Sequence, residues 1–180
     1  QARGVQYDAV LVKPITASAL HDALVRVLRG QGVAPTLPAT QVSEAERMLQ
    51  RDHRGQRVLL VEDNPINLEV AAELLSSAGL TVETAENGAR AVELALSRRY
   101  DVILMDVQMP VMDGLAATTA IRARAGRGTP IIAMTANAFS EDRDACLSAG
   151  MNDHIPKPVD PERLYATLVR WLPNAVRSGD

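Results

Sequence analysis

The chain carries a single cysteine, Cys146, in 180 residues, which excludes an intrachain disulfide and any multi-cysteine metal site and fits a reducing cytoplasm. Aromatic residues make up only 3% of it, too few for stacking on bases, and no basic stripe runs through it. A formal charge of -3 argues against a general nucleic-acid or membrane-surface binder. No apolar run reaches membrane-spanning length and no signal peptide is recognisable, so this fragment is expected to make no membrane contact. The first residue is Gln rather than Met. The chain therefore reads as a cytoplasmic piece of a longer parent, which a membrane anchor elsewhere could still hold.

What the sequence has instead is a series of short apolar runs, each ended by a charged or hydroxyl residue. Glu62 and Asp63 close Val58-Leu59-Leu60-Val61, and Asp106 closes Val102-Ile103-Leu104-Met105. Thr135 follows Ile131-Ile132-Ala133-Met134, and Lys157 follows His154-Ile155-Pro156. Runs of this length between helical patterns read as buried strands of a parallel sheet. Polar residues at the carboxyl ends of such strands converge in the crevice where open α/β sheets bind ligands. Three carboxylates, a hydroxyl and an ammonium gathered there suit a divalent cation and a phosphoryl group.

From Arg57 onward the pattern is regular: RVLLVE, LTVETA, DVILMD, PIIAMTA and DHIP, each followed by a helical stretch. This predicts a doubly wound five-stranded α/β domain with helices on both faces. Asn64-Pro65 and Asp160-Pro161 each supply an N-cap followed by proline at the first helical position. Gly79 and Gly150 end two helices in the manner of left-handed C-caps. Leu68, Ala71, Ala72 and Leu75 form the stripe of a sheet-packed helix face.

Upstream the organisation changes. Residues from Gly30 to Gln41 (GQGVAPTLPATQ) are linker chemistry, and Ser43 to Arg54 is helix-compatible but too short and polar to hold a core. Residues 30–55 are therefore read as a linker, 56–173 as the main domain and 174–180 as a tail. The segment Val10–Leu28 echoes His154–Leu172: aligning Lys13 on Lys157 brings Pro14 onto Pro158, Leu20 onto Leu164, Leu24 onto Leu168 and Leu28 onto Leu172. Residues 1–29 thus read as the closing strand and helix of a preceding domain of the same type. Left alone, that helix exposes Leu20, Leu24, Val27 and Leu28, a patch expected to dock on the main domain or on a second copy.

The motifs VEDNPINLEV, MDVQMPVMDG, MTANA and GMNDHIPKP resemble those of response regulator receiver domains, most of all the receivers of hybrid sensor histidine kinases. The resemblance covers about Gln56 to Leu172. It implies a flavodoxin-like sheet of order 2-1-3-4-5 and phosphorelay signalling, with Asp106 as the carboxylate that takes a phosphoryl group from a phosphohistidine. By the same resemblance Asp63, Asp106 and the backbone carbonyl of Gln108 ligate Mg²⁺, Glu62 acts through water, and Mn²⁺ can stand in. Lys157 and Thr135 contact the phosphoryl oxygens, small Ala136 leaves the entrance open, and Pro158 is a candidate cis residue that aims Lys157 into the pocket. Two carboxylates about 4 Å apart repel by roughly 4 kcal/mol at an effective dielectric of 20. The cation-free site is accordingly expected to be strained, and the cation to stabilise the fold.

The implied partners are a histidine kinase core or a histidine phosphotransfer domain. A homodimer is a further expectation, through the N-terminal helix or through the face of the fourth helix, fifth strand and fifth helix that phosphorylation shifts. His154 departs from the Phe or Tyr that many receivers place three residues before the Lys, so its part in switching differs from theirs. Gln108 and Asn137 flank the path of a hydrolytic water and are expected to tune acyl-phosphate lifetime. No DNA-binding pattern follows the last helix in Pro173–Asp180, which favours a hybrid kinase over a transcription factor.

Three rivals are weighed against this reading. A haloacid-dehalogenase-type phosphohydrolase needs a second Asp two residues after the nucleophile, where this chain has Gln108. The receiver of a stand-alone response regulator is the second, and a non-phosphorylated interaction module, which requires a broken pocket, is the third. Asp113 reads as turn chemistry before a helix, Cys146 as packing, and His21 and His53 as surface or interface residues.

Overall fold

A strand buried on both faces sends alternate side chains to two separate cores, and the runs RVLLV, VILMD and IIAMT do so. The computed structural model describes residues 42–126, 128–136 and 140–173, so the echo over Val10–Leu28, His21, Asn137 and the tail lie outside the described residues. Strands β1 (Arg57–Val61), β2 (Thr81–Ala85), β3 (Val102–Asp106), β4 (Ile131–Thr135) and β5 (Asp153–Pro156) are parallel in the order β2-β1-β3-β4-β5, as expected. Val58, Leu60, Leu104, Ile132 and Ile155 face one core, where α2 (Pro65–Ser77) and α6 (Pro161–Trp171) contribute Ala71, Leu75, Leu164 and Leu168. Leu59, Val61, Ile103, Met105 and Ala133 face the other, with residues from α3 (Gly88–Ser97), α4 (Gly114–Ala125) and α5 (Ser140–Ala149).

The local signals hold. The Asn64 side chain accepts from the backbone N–H groups of Ile66 and Asn67, and Asp160 from that of Arg163. Asp113 is exposed and caps α4 by accepting from the Ala116 N–H at 2.7 Å. Gly79 and Gly150 have φ of +85° and +100°. Cys146 is buried, as packing requires.

The linker reading needs correction over residues 43–54. Glu44–Asp52 forms a helix, α1, capped by Ser43, whose hydroxyl accepts from the Glu46 N–H at 3.1 Å. Its Leu49 is fully buried in the same core cluster as Leu75, Leu164 and Leu172. Gln50 Nε2 donates to the Ser77 carbonyl at 3.0 Å, and Gln56 Nε2 to the Pro173 carbonyl at 2.7 Å. His53 is not a surface residue either: it is buried at the end of α1, with Nδ1 3.0 Å from Gln56 Oε1. The polarity of EAERMLQRD hid this, because one leucine in nine residues suffices to plug the core edge between α2 and α6. Leu49→Ala is expected to cost about 3 kcal/mol in urea unfolding of the full chain, where a linker residue would cost less than about 0.5.

Candidate functional site

Hydrogen bonds that continue the ladder beyond the strands fix the backbone of each site residue. Glu62 N–H donates to the Ala85 carbonyl at 3.1 Å, Val107 to Met134 at 3.1 Å and Lys157 to Thr135 at 2.7 Å. The register pairs Val61 with Met105, Asp106 with Met134 and Thr135 with Pro156, so Glu62, Asp106, Thr135 and Lys157 reach one level at the carboxyl edge. The Lys157–Pro158 peptide is cis.

The Lys157 ammonium lies 2.6 Å from Glu62 Oε2 and 2.7 Å from Asp106 Oδ2. Carboxylate oxygens of Glu62, Asp63 and Asp106 fall within 4.8 Å of one another, with Glu62 and Asp106 buried and Asp63 exposed. Glu62 Oε1 accepts from the Asn64 N–H at 3.3 Å and from Asn67 Nδ2 at 3.2 Å. Asp106 Oδ1 accepts from the Gln108 N–H at 3.1 Å. Thr135 is buried at the end of β4, and exposed Ala136 lines the groove beside Lys157 and Pro158. One ammonium thus lies between two carboxylates and offsets part of their mutual repulsion.

Burial pushes the Asp106 carboxyl above its ordinary range, against the lowering hydrogen bonds from Lys157 and Gln108. For Lys157 burial acts downward, but the hydrogen bonds to Asp106 and Glu62 outweigh it and hold the ammonium above its ordinary value. A raised carboxyl beside a charged ammonium is the kind of perturbed pair that clusters at functional sites. Oxygen donors alone, three of them carboxylates, fit a hard divalent cation.

The loop after Asp106 is tightly constrained. Gly114 N–H donates to the Val107 carbonyl at 3.0 Å, and a Cβ on Gly114 would sit 2.1 Å from the Asp106 carbonyl oxygen. Gly88 N–H bonds the Met112 carbonyl at 3.1 Å, where a Cβ would come within 2.5 Å. Between them the Met112 N–H donates to the Pro110 carbonyl at 2.8 Å, closing a three-residue turn around Val111 at φ +70°. A β-branched residue in that region costs about 1–2 kcal/mol.

The structure does not bring His154 into the cluster. Its ring is half-buried on β5 near Cys146 and Leu147, with Nδ1 3.8 Å from Asp153 Oδ1. Asp153 is the centre there: Oδ2 accepts from Trp171 Nε1 at 2.9 Å and pairs with Arg170 at 3.0 Å, and Oδ1 accepts from the His154 N–H at 2.9 Å. Burial pushes this carboxyl up, but the Trp171, His154 and Arg170 contacts outweigh it and hold it below the ordinary range. Its stabilisation is therefore present above the unfolded value near 3.9 and is lost as pH falls through the lowered folded value. Asp153→Asn is expected to cost about 1 kcal/mol at pH 7, with the two melting curves converging below about pH 4.

Sequence reasoning missed Asn67, Asp153 and the close approach at Gly114. Asn67 was readable in principle, since it lies in the first turn after the Asn64 cap, where side chains point back toward the strand end. The role of Asp153 depends on Trp171 and Arg170, which only the packing of α6 brings near.

A family model, the response regulator receiver domain, matches residues 58–169. Sensor protein GacS of Pseudomonas syringae pv. syringae is 40% identical over 176 residues, covering 96% of this chain and 18% of that protein. The histidine-protein kinase BarA of Escherichia coli (strain K12) is 36% identical over 168 residues, 93% of this chain and 17% of its own. The chain thus spans less than a fifth of the length of these relatives. Among solved structures, the receiver domain of sensor histidine kinase PA1611 from Pseudomonas aeruginosa PAO1, which has a magnesium ion coordinated in its active-site cleft, is 51% identical with a TM-score of 0.62. That match covers 65% of this chain and 97% of the other. A chain of the complex between the Saccharomyces cerevisiae phosphotransfer protein Ypd1 and the receiver domain of Ssk1 is 29% identical, TM-score 0.63, over 66% of this chain and 89% of that one. The sheet order, the strand-end cluster and a match running from β1 into α6 agree: this chain belongs to the response regulator receiver domain family, the phosphorylatable modules of phosphorelay signalling.

Proposed function

We propose that Asp106 is the phosphoacceptor of a hybrid sensor histidine kinase. The observation that carries the proposal is the Lys157 ammonium held between Asp106 and Glu62 at the open end of the sheet. The Asp106 carboxylate attacks the phosphorus of a phosphohistidine; an O–P bond forms, and the P–N bond breaks with its electron pair returning to the imidazole. Lys157 shifts its ammonium from Asp106 onto a phosphoryl oxygen, the Thr135 hydroxyl donates to another, and Ala136 leaves room for them. Asp63, Asp106 and the Gln108 carbonyl, with Glu62 through water, would hold Mg²⁺, or Mn²⁺ with the same oxygen preference, which neutralises charge on the phosphoryl group. Gln108 and Asn137 are assigned to the lifetime of the acyl phosphate and His154 to the response of β5.

The donor is a histidine kinase core or a histidine phosphotransfer domain. Its docking place is a groove of about 410 Å³ beside α2, lined by Glu62, Asn67, Val70, Leu74, Ala136 and Pro158. Val70 is 56% exposed and Ile66, on the same helix, 71%, an apolar rim suited to a protein partner. We assign residues 1–29 to the end of a preceding receiver-like domain, supported by alignments to GacS and BarA that reach beyond the receiver. A homodimer through α5, β5 and α6, or through the N-terminal helix, and a cytoplasmic location complete the reading. Among the described residues no helix is long and apolar enough to cross a membrane.

Incubation with acetyl phosphate and Mg²⁺ is expected to give one hydroxylamine-labile phosphoryl group per chain. Steady hydrolysis of phosphate esters without a labelled protein would favour the phosphohydrolase instead.

A further inference from the structure

Glu62 is a buried carboxylate whose two oxygens answer to different elements. Oε2 meets the Lys157 ammonium at 2.6 Å, while Oε1 accepts from the Asn64 N–H at 3.3 Å and from Asn67 Nδ2 at 3.2 Å. Of these three donors only Asn67 is a side chain of α2. Its backbone is set by the helix cap, since the Asn67 N–H donates to Asn64 Oδ1 at 3.3 Å. Helical side chains tilt toward the N-terminus, so from the first turn Asn67 reaches back to the end of β1.

The helix itself has no need of an asparagine there. Asn67 is exposed, and asparagine is a poorer helix former than alanine or leucine. What the amide does is complete the hydrogen bonding of a buried charge at the end of the groove that Lys157 also lines. Without it, Oε1 keeps only the Asn64 N–H, and Glu62 is free to turn toward Lys157 with both oxygens. Groups one bond removed from a metal site hold its ligands in orientation, and affinity falls when they are lost.

We propose that Asn67 is a positioning residue of the cation site, holding Glu62 in the orientation from which that carboxylate serves Mg²⁺. This rests on the phosphoacceptor reading of Asp106. Asn67 acts through Glu62 alone and takes no part in the transfer itself.

The test titrates Mg²⁺ into the full chain by calorimetry, with no phosphodonor present. It compares wild type, Asn67→Ala, Asn67→Leu, Glu62→Ala and the double variant Glu62→Ala with Asn67→Ala. Asn67→Ala and Asn67→Leu are each expected to raise the Mg²⁺ dissociation constant about tenfold. Both are expected to melt within a few degrees of wild type without divalent cations, as substitutions at exposed helix positions do. In the Glu62→Ala background Asn67→Ala adds less than about twofold, because the group it positions is gone. Uptake from acetyl phosphate by Asn67→Ala falls about tenfold at limiting Mg²⁺ and returns to within about twofold of wild type at saturation. Unchanged Mg²⁺ binding in either single variant would overturn the proposal, as would the same loss repeated in the Glu62→Ala background. A large drop in melting temperature would assign Asn67 to the fold, and slow uptake that persists at saturating Mg²⁺ would assign it to the transfer; either overturns the proposal. A wild type that binds Mg²⁺ but takes nothing from acetyl phosphate overturns the phosphoacceptor reading itself.

Discussion

Asp106→Asn reduces phosphoryl uptake to background, from acetyl phosphate and from phosphohistidine alike. An amide oxygen is too weak a nucleophile for the attack, and Glu62 cannot replace it: its two oxygens are occupied by Asn64 and Asn67 on one side and Lys157 on the other. The variant is not expected to be a folding mutant. Burial holds the Asp106 carboxyl above its ordinary range, so its contribution to stability is present at low pH and is lost as pH rises through the folded value. At neutral pH the charged form is a net cost to the fold, and the amide removes that cost. The amide oxygen would still accept from the Gln108 N–H, and Lys157 keeps Glu62. The expected melting temperature is therefore equal to or above that of wild type, read by calorimetry without divalent cations. A large drop in stability would mean that Asp106 holds the fold and would weaken the interpretation of its lost activity.

Lys157→Met has the opposite signature. It removes the ammonium shared by two buried carboxylates and keeps the length of the stem. Leaving buried charge without its partner costs about 3 kcal/mol, roughly 10 °C in a domain of this size. A divalent cation can take over part of the neutralisation, so millimolar Mg²⁺ is expected to raise the variant's melting temperature more than the wild type's. At about 100 times the dissociation constant that restoration is about 2.7 kcal/mol. Phosphoryl uptake stays low even in the restored protein, because the ammonium that meets the phosphoryl oxygen is gone. Comparable Mg²⁺ shifts in both proteins would show that Lys157 and the cation do not share the same carboxylates.

Much of this site was legible in the sequence because each functional residue ends an apolar run, and parallel strands bring their carboxyl ends to one level. Glu62, Asp106, Thr135 and Lys157 needed only strand order to meet. Their roles came from the family resemblance, not from spacing. Glu44–Asp52 was not legible as part of the domain, because burial of one leucine depends on the gap left by α2 and α6 rather than on the helix's own composition. The position of Lys157 between the two acids was not legible either, since strand-end position alone does not say where its ammonium lies. Nor were the surroundings of His154 legible, a residue read from the resemblance only as a switching position: its ring stands near Cys146 and Leu147 of α5, which only the packing of α5 on β5 brings there.

The central claim is that Asp106 carries the phosphoryl group. Treating the chain with acetyl phosphate and Mg²⁺, reducing it with borohydride and mapping the peptides by mass spectrometry tests it most directly. Reduction at Asp106 in the peptide that spans β3 is the expected result. Label at Glu62 or Asp63, on a histidine or hydroxyl, or nowhere in the chain contradicts it.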